Sequence, residues 1–358
     1  MKIRVAIFKN ESFDDHSLWL KACDIRNEEI DYKVIDITKA EWLTNFMAEK
    51  FDLILLRPPG RTEKFKRLYD ERSLILNNYS GIRIYPSLTE ILIYENKRFL
   101  SDWLRANSIP SPETKVFYSK KEAFEFLERN KSYPIVAKAN IGGSGNGVSF
   151  LHKKQMAINY VNKAFKHGVF TKTGPKLKKG SLLRKVIKGI KDRQFLIKRL
   201  SEYKDTIINP QKGFVIFQEF IPHKFEWRCV RIGDSYFAHK KIARNNKSSG
   251  TLIKGYDAVP LKLLDFIFDI TTRTNLTSVA IDLFEKDEKY LVNEIQCYFG
   301  QSDPYQMLVD SRPGRYRRVK GEWIFEEGDF ASNECYDLRL SHALSLLDNV
   351  KRESSFCM

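Results

Sequence analysis

The sequence predicts an α/β protein that begins with an open, parallel-stranded domain, and two observations carry the prediction. From the third residue onward, short runs rich in Val, Ile and Leu alternate with stretches of helical periodicity. Much later, "SVAIDLFEK" and "KYLVNEIQC" read as two strands of one antiparallel hairpin.

The elements follow in order. "IRVAIFK" is a strand, 14–28 a helix, "YKVIDI" a strand, 39–50 a helix and "FDLILLR" a strand. This first domain has neither a Gly-x-Gly-x-x-Gly fingerprint nor a Walker-type Gly-Lys-Ser/Thr loop, so neither a dinucleotide site nor a P-loop is expected in it. Arg57, at a strand's carboxyl end in "LRPPG", either frames a substrate cleft or serves the fold. "SLTEILIYENKRFLSDWLRANS" is read as one helix over 87–108, with Ser87 and Glu90 forming a capping box and "IPSPE" breaking it. The first domain boundary falls near residue 88. A smaller α/β unit then runs from Glu113 to about 165: strand "TKVFY", helix 119–130, strand "YPIVAKAN", loop "IGGSGNG" and strand "VSFLH".

Composition sets the class of molecule. A 358-residue chain with 42% hydrophobic and 30% charged residues is ordinary globular material for two or three domains. No stretch reaches the length of a membrane span, and the N-terminus does not read as a secretion signal. Five scattered cysteines without Cys-x-x-Cys spacing argue for reduced thiols in a cytoplasm and against a zinc cluster. Of the net charge of +16, +12 lies in 163–212, where fifteen Lys or Arg meet three Asp or Glu. Within this insert "SLLRKVIKGIKDRQFLIKRL" (181–200) places Leu182, Leu183, Val186, Ile187 and Ile190 on one helical face and basic residues on the other. Such a helix either packs on the protein with its charges solvated, or meets an acidic substrate or an anionic membrane. Nucleic acid ranks last, because the aromatic residues are dispersed and no recognition motif accompanies the charge.

Four segments carry candidate chemistry. Gly142, Gly143, Gly145 and Gly147 leave backbone N–H groups able to close over an anion, more glycines than a two-residue turn at Asn146-Gly147 needs. Lys138 lies among apolar neighbours, where an ammonium needs an anion to meet it. In "GFVIFQEFIPHKFEWRCVRI", Gln218 and Glu219 end one strand, Pro222 breaks it, and Glu226, Arg228 and Arg231 follow on the next. In the hairpin, a three-residue loop over 286–288 would pair 285 with 289 and place Asp282 and Glu294 as diagonal neighbours about 7 Å apart. Asp282, Glu294 and Gln296 would then share a face suited to magnesium. A two- or four-residue loop would separate them.

Taken in order, Lys97, Lys138, the glycine loop, "QEFI", "EWR", "KKIAR", Asp282 and "NEIQ" resemble the ATP-grasp family over about residues 88–302. The resemblance implies an α/β fold of α+β ATP-grasp type. An open N-terminal domain (1–88) would precede two α+β subdomains that clasp ATP: a lid subdomain with the basic insert (89–212) and a catalytic subdomain with a tail (213–358). It further implies that Lys97 and Lys138 meet the ATP phosphates under a lid comprising Gly143, Ser144, Gly145 and Gly147. Gln218, Glu219 and the Ile221 backbone would hold adenine, and Glu226 the ribose. Arg228 and Arg244, with Lys240 as companion, would face the transferred phosphate or the acid, and Asp282, Glu294 and Gln296 would hold two magnesium ions. The family has Asn where this chain has Gln296, and the segment between lid and hinge is longer than usual.

The implied activity is carboxylate–amine ligation through an acyl phosphate. Phosphoryl transfer needs charge neutralisation and alignment more than covalent help, which these residues suit. The alternatives are a phosphotransferase and a non-catalytic ATP-binding module. The implied partners are small-molecule or glycan carboxylates and amines. The tail after 302 resembles ATP-grasp proteins of bacterial surface-glycan pathways; the basic insert suggests an acidic sugar or amino-acid derivative as substrate, and the scattered thiols a cytoplasmic location, at the inner membrane face if the insert binds lipid. That tail is expected to pack beside the metal strands.

Overall fold

The computed structural model describes residues 2–12, 14–142, 147–169, 210–244, 247–248, 253–256, 258–301 and 303–356. Four parallel strands come first: β1 (Ile3–Lys9), β2 (Ile30–Asp36), β3 (Leu53–Leu56) and β4 (Arg83–Tyr85), in the order β2-β1-β3-β4. Their connections include helices α1 (Ser17–Ile25), α2 (Trp42–Met47) and α3 (Glu63–Tyr79). Alternate strand residues feed two cores, as a parallel sheet covered on both faces requires. Val5, Ile7, Leu53 and Leu55 join Trp19 and Tyr85, while Ala6, Phe8, Ile54 and Leu56 join Trp42, Phe46 and Tyr69. The sequence reading passes over α3 and β4. α3 leaves Leu74, Ile75 and Tyr79 exposed, which blurs its apolar stripe.

The single helix expected over 87–108 is two: α4 (Leu88–Ile93) and α5 (Lys97–Ala106). Glu95 takes a left-handed φ of 48° and Asn96 caps α5 by accepting from the Phe99 N–H, 3.3 Å away. The break sets Lys97 at the first position of α5. The expected capping box is present, with Glu90 Oε2 accepting from the Ser87 N–H at 2.8 Å. Glu90 Oε1 accepts from the Thr277 and Ser278 N–H groups at 2.6 and 2.7 Å, tying the helix to a distant segment.

By chain packing the protein divides into two units, one of Met1–Pro59, Phe65–Pro112 and Ile221–Met358, the other of Gly60–Lys64 and Glu113–Phe220. The second unit holds β5 (Thr114–Phe117), α6 (Lys120–Arg129), β6 (Ile135–Lys138), β7 (Val148–Leu151), α7 (Lys154–Lys166) and β8 (Val215–Glu219). Its antiparallel sheet runs β5-β8-β6-β7. One face buries Phe117, Ile135, Ala137, Leu151, Val215 and Phe217 against the two helices through Ala123, Leu127, Ala157 and Val161. Residues 170–209, with the amphipathic helix expected at 181–200, lie outside the described residues.

The remainder of the first unit holds β9 (Phe225–Ile232), β10 (Ser235–Arg244), β11 (Lys247–Ser248), β12 (Lys254–Gly255), α8 (Leu261–Arg273), β13 (Ser278–Lys286), β14 (Lys289–Gln296), β15 (Leu308–Val309), β16 (Arg312–Val319), β17 (Glu322–Glu327) and α9 (Tyr336–Phe356). These strands form one antiparallel sheet in the order β14-β13-β9-β10-β16-β15, with β11 and β12 on β10 and β17 on β16. Trp227, Cys229, Ala238, Ile281, Leu283, Val292 and Ile295 share a core with Leu263, Leu264, Ile267 and Ile270 of α8. The tail divides: its strands extend this sheet, whereas α9 packs through Tyr336, Leu340 and Ala343 into the core of the first sheet. Cys23, Cys229, Cys297 and Cys335 are buried and form no disulfide. No helix among the described residues is long and apolar enough to cross a membrane.

Gly233 turns β9 into β10 at a φ of 59°, and an added Cβ would lie 2.9 Å from His342 Nδ1. Gly233→Ala is therefore expected to cost about 1–2 kcal/mol, read as a lower urea midpoint at unchanged slope.

Candidate functional site

The hairpin of β13 and β14 sets the site, and it is built differently from the expectation. The loop has two residues: Lys286 pairs with Lys289, and Asp287 and Glu288 take φ of 50° and 59°, as a type I′ turn requires. Strict alternation from that turn would set Asp282 opposite Asn293 and send Glu294 to the other face. Instead the ladder slips between Asp282 and Leu283, where Leu283 pairs with Val292 and Asp282 with Glu294. Asn293 is the extra residue of a β-bulge. The three-residue loop is thus incorrect, yet Asp282, Glu294 and Gln296 still share a face, because directly paired residues of an antiparallel sheet do. The bulge also lets Asn293 Nδ2 donate to Glu226 Oε1 at 3.3 Å, a contact period-two counting does not find.

Register carries this face across the sheet. Asp282 pairs with Arg228, Arg228 with His239, and Glu226 with Lys241. Arg228 donates through Nε and Nη2 to the two oxygens of Asp282, at 2.8 and 2.9 Å. Lys241 Nζ lies 2.6 Å from Asp282 Oδ2 and 2.8 Å from Glu226 Oε2. All four side chains are buried. Burial works to raise the Asp282 carboxyl pKa, but Arg228 and Lys241 outweigh it and hold it well below the carboxylate range. Burial works to lower the Lys241 ammonium pKa, and Asp282 and Glu226 bring it above the ordinary value. His239 is pushed down to about 3 by burial, then by Arg228 and Lys254, and its Nδ1 donates to the Gln306 carbonyl at 2.8 Å.

Lys97 joins the group from the start of α5. Its Nζ lies 3.3 Å from Glu294 Oε1 and 3.5 Å from Glu95 Oε2. Burial works to lower its pKa, and Glu95 with Glu294 more than offsets that, so the group stays an ammonium. Lys240 is elsewhere: by alternation it faces away from this group, and its Nζ lies over the rings of Phe225 and Trp227 at 4.5 and 5.0 Å. Lys241, not anticipated, stands where Lys240 was expected. Arg244 closes β10. His223 Nδ1 donates to the Ile221 carbonyl at 2.8 Å.

In the second unit Lys138 pairs with Ile216, and Val136 with Gln218, so Lys138 and Gln218 share the face turned away from the helices. Gln218 Nε2 donates to Thr114 Oγ1 at 3.0 Å, which leaves its carbonyl oxygen as acceptor. Glu219 alternates to the helix face. A cavity of about 740 Å³ there is lined by Lys115, Phe126, Arg129, Phe217, Gln218 and Glu219, among others, and so lies chiefly on the face opposite Lys138. β6 and β7 are joined by residues 139–147, more than a tight turn needs, with the Gly147 carbonyl accepting from the Ala139 N–H at 2.8 Å. Gly143, Ser144 and Gly145 lie outside the described residues.

The donor set admits a cation only in part. Among the described residues no three His, Cys, Asp or Glu side chains are gathered to hold a metal. Both oxygens of Asp282 are engaged by cations, whereas Glu294 and Gln296 are partly exposed hard oxygen donors two residues apart on β14. That pair fits magnesium, which keeps water and substrate oxygens in its shell and takes one or two protein ligands.

No protein-family model matches the chain, and no curated protein does. Solved structures do. D-alanine–D-alanine ligase from Bacillus anthracis is similar at TM-score 0.54 and 15% identity, over 98% of this chain and 99% of that one. The same ligase complexed with ATP gives TM-score 0.52, 13% identity and 97% and 99% coverage. Carboxyaminoimidazole ribonucleotide synthase from Aspergillus clavatus, complexed with ATP, gives TM-score 0.51, 12% identity and 87% and 72% coverage. The likeness is one of fold, and the fold is that of the ATP-grasp proteins.

Proposed function

We propose that the protein is an ATP-dependent carboxylate–amine ligase. ATP gives its γ-phosphoryl group to a carboxylate, leaving ADP and an acyl phosphate; an amine then attacks the carbonyl, phosphate departs and an amide is formed. The observation that carries this reading is the single sheet face bearing Glu226, Arg228, Lys241, Asp282 and Glu294, with Lys97 against Glu294, in a chain with the fold of known ligases.

In the first unit Lys97 meets phosphate oxygens, Glu226 the ribose, and Arg228 with Arg244 the transferred group or the acid. Lys241 replaces Lys240 in this set and holds Glu226 and Asp282 in place. Glu294 and Gln296 hold magnesium; when bound, the ion neutralises phosphate charge during transfer. Asp282, with both oxygens engaged by Arg228 and Lys241, would hold those two cations in place. In the second unit Lys138 serves phosphate and the Gln218 carbonyl the adenine amino group. Glu219 contributes through its backbone, as does Ile221. The acid is an acidic sugar or amino-acid derivative, a reading supported by the charge of 163–212.

The test is phosphate release by the purified protein with ATP and magnesium against crossed panels of acids and amines. Release of ADP and phosphate only when both partners are present is expected. A phosphorylated product with no free phosphate would make it a phosphotransferase, and binding of ATP without turnover a binding module.

A further inference from the structure

Two further arginines of the first unit make no ion pair with the group just described, although Arg339 shares the Phe299 ring with Arg228. Arg339, in the first turn of α9, is fully buried, yet Nε, Nη1 and Nη2 all lack a hydrogen-bond partner among the described residues. Its guanidinium lies against the rings of Phe299, Tyr298 and Tyr336 at 4.7, 4.8 and 5.2 Å. Rings stabilise the faces of such a cation but accept nothing from its N–H edges. Burying those edges without acceptors is costly, and an oxyanion removes the cost.

Arg57, partly buried, lies over the same Tyr298 ring at 4.6 Å. It makes only two long contacts through Nη1, to the Pro58 carbonyl and the Tyr94 hydroxyl at 3.4 Å each, and its buried Nε has no partner. Among the described residues neither arginine forms an ion pair; burial works against the Arg57 cation, and Tyr336, Tyr94 and then Asp15 favour it. Tyr298 links the two: its hydroxyl donates to the carbonyl of Leu56, the last residue of β3, at 2.6 Å.

The position of Arg57 has an independent meaning. In the order β2-β1-β3-β4 the chain leaves β1 to one side for β2 and returns to its other side for β3. The carboxyl ends of β1 and β3 therefore flank the switch point of an open α/β sheet, where such sheets bind ligands. Asn10, just past β1, donates to the Arg57 carbonyl at 2.8 Å and so ties the loops after β1 and β3 together. Ser12 beside it is buried with an Oγ that has no partner.

We propose that this crevice binds an oxyanion, a carboxylate or a phosphate, borne by an acidic small molecule, with Arg57 at its mouth and Arg339 behind Tyr298. A guanidinium fork matches either group. The crevice lies one ring away from Arg228, because Phe299 is shared by Arg228 and Arg339, so oxyanion binding is read without nucleotide and its failure is distinct from failure of the ligase reading.

The experiment is thermal unfolding of the full chain in inorganic phosphate, in succinate and in chloride at matched ionic strength. Wild type is expected to gain roughly 2–4 °C in one or both oxyanions over chloride. A gain in phosphate alone, or succinate alone, identifies the group. General salting effects act on every variant alike, so Arg57→Gln and Arg339→Met are expected to lose the increment while Glu294→Ala keeps it. Arg339→Met should also unfold in chloride no earlier than wild type, since it removes a buried charge without an acceptor. No oxyanion increment in wild type overturns the proposal, as does an increment that survives both arginine substitutions. Loss of ATP binding with the increment intact would overturn the ligase reading and leave this one standing.

Discussion

Replacing Asp282 with alanine is expected to destabilise the protein by about 3–5 kcal/mol, because it strands two buried cations at once. Arg228 would lose both of its bonds to a carboxylate, and Lys241 one of its two. Glu226 cannot compensate for both, being shared already with Asn293. Asp282→Asn keeps the shape without the charge and should fall nearly as far. Either variant should show a clearly lower urea midpoint, with a Tm roughly 10 °C below wild type. The pH dependence has a definite sign. A carboxyl held below its ordinary value of 3.8 contributes stability that is complete above that value and lost as pH falls through its folded pKa. The gap between wild type and Asp282→Ala should thus be constant near neutrality and narrow below about pH 4. An alanine variant with the wild-type midpoint at pH 7 would show that the ion group does not support the fold.

Much of this group was legible in the sequence, and its errors have physical causes. Charged residue types within apolar strands located Glu226, Arg228, Asp282 and Glu294, since such groups need partners, whereas Lys97, on a helix, came only from the family resemblance. Side-chain parity was harder. Period-two counting assumes an unbroken ladder, and a bulge is a backbone event with no distinctive residue at Asn293. The type I′ turn gave no warning either, built as it is from Asp287 and Glu288 and not the usual Asn-Gly. Lys241 was within reach: counting back residue for residue from a two-residue turn at Gly233-Asp234 pairs Glu226 with Lys241 and turns Lys240 away. The break before α5 rests on Glu95 adopting a left-handed conformation, which its side chain does not announce. Arg339 could not be found, because what marks it is the absence of acceptors around a buried guanidinium, a property of packing.

Glu294→Ala is expected to separate chemistry from stability. Glu294 sits at the open side of the group with 23% of its side chain exposed, and its ion-pair partner Lys97 keeps Glu95 at 3.5 Å when Glu294 is removed. The folding cost should therefore stay well below that of Asp282→Ala, because the buried Lys97 cation keeps one carboxylate. Acceptor-dependent ADP formation should fall about 10²–10³-fold, the usual consequence of removing one group that neutralises charge at a transferring phosphoryl. The loss should appear in kcat as well as in the KM for ATP, since charge on the phosphoryl oxygens is redistributed most in the transition state. Raising magnesium should recover part of the KM effect and little of the kcat effect. Lys97→Met offers the converse arrangement: Glu294 loses its cation, and ATP binding should weaken while magnesium dependence persists. If Glu294→Ala forms ADP at the wild-type rate with both acceptors present, Glu294 does not hold the metal. The ligase assignment would then lose its main chemical support, whatever the fold.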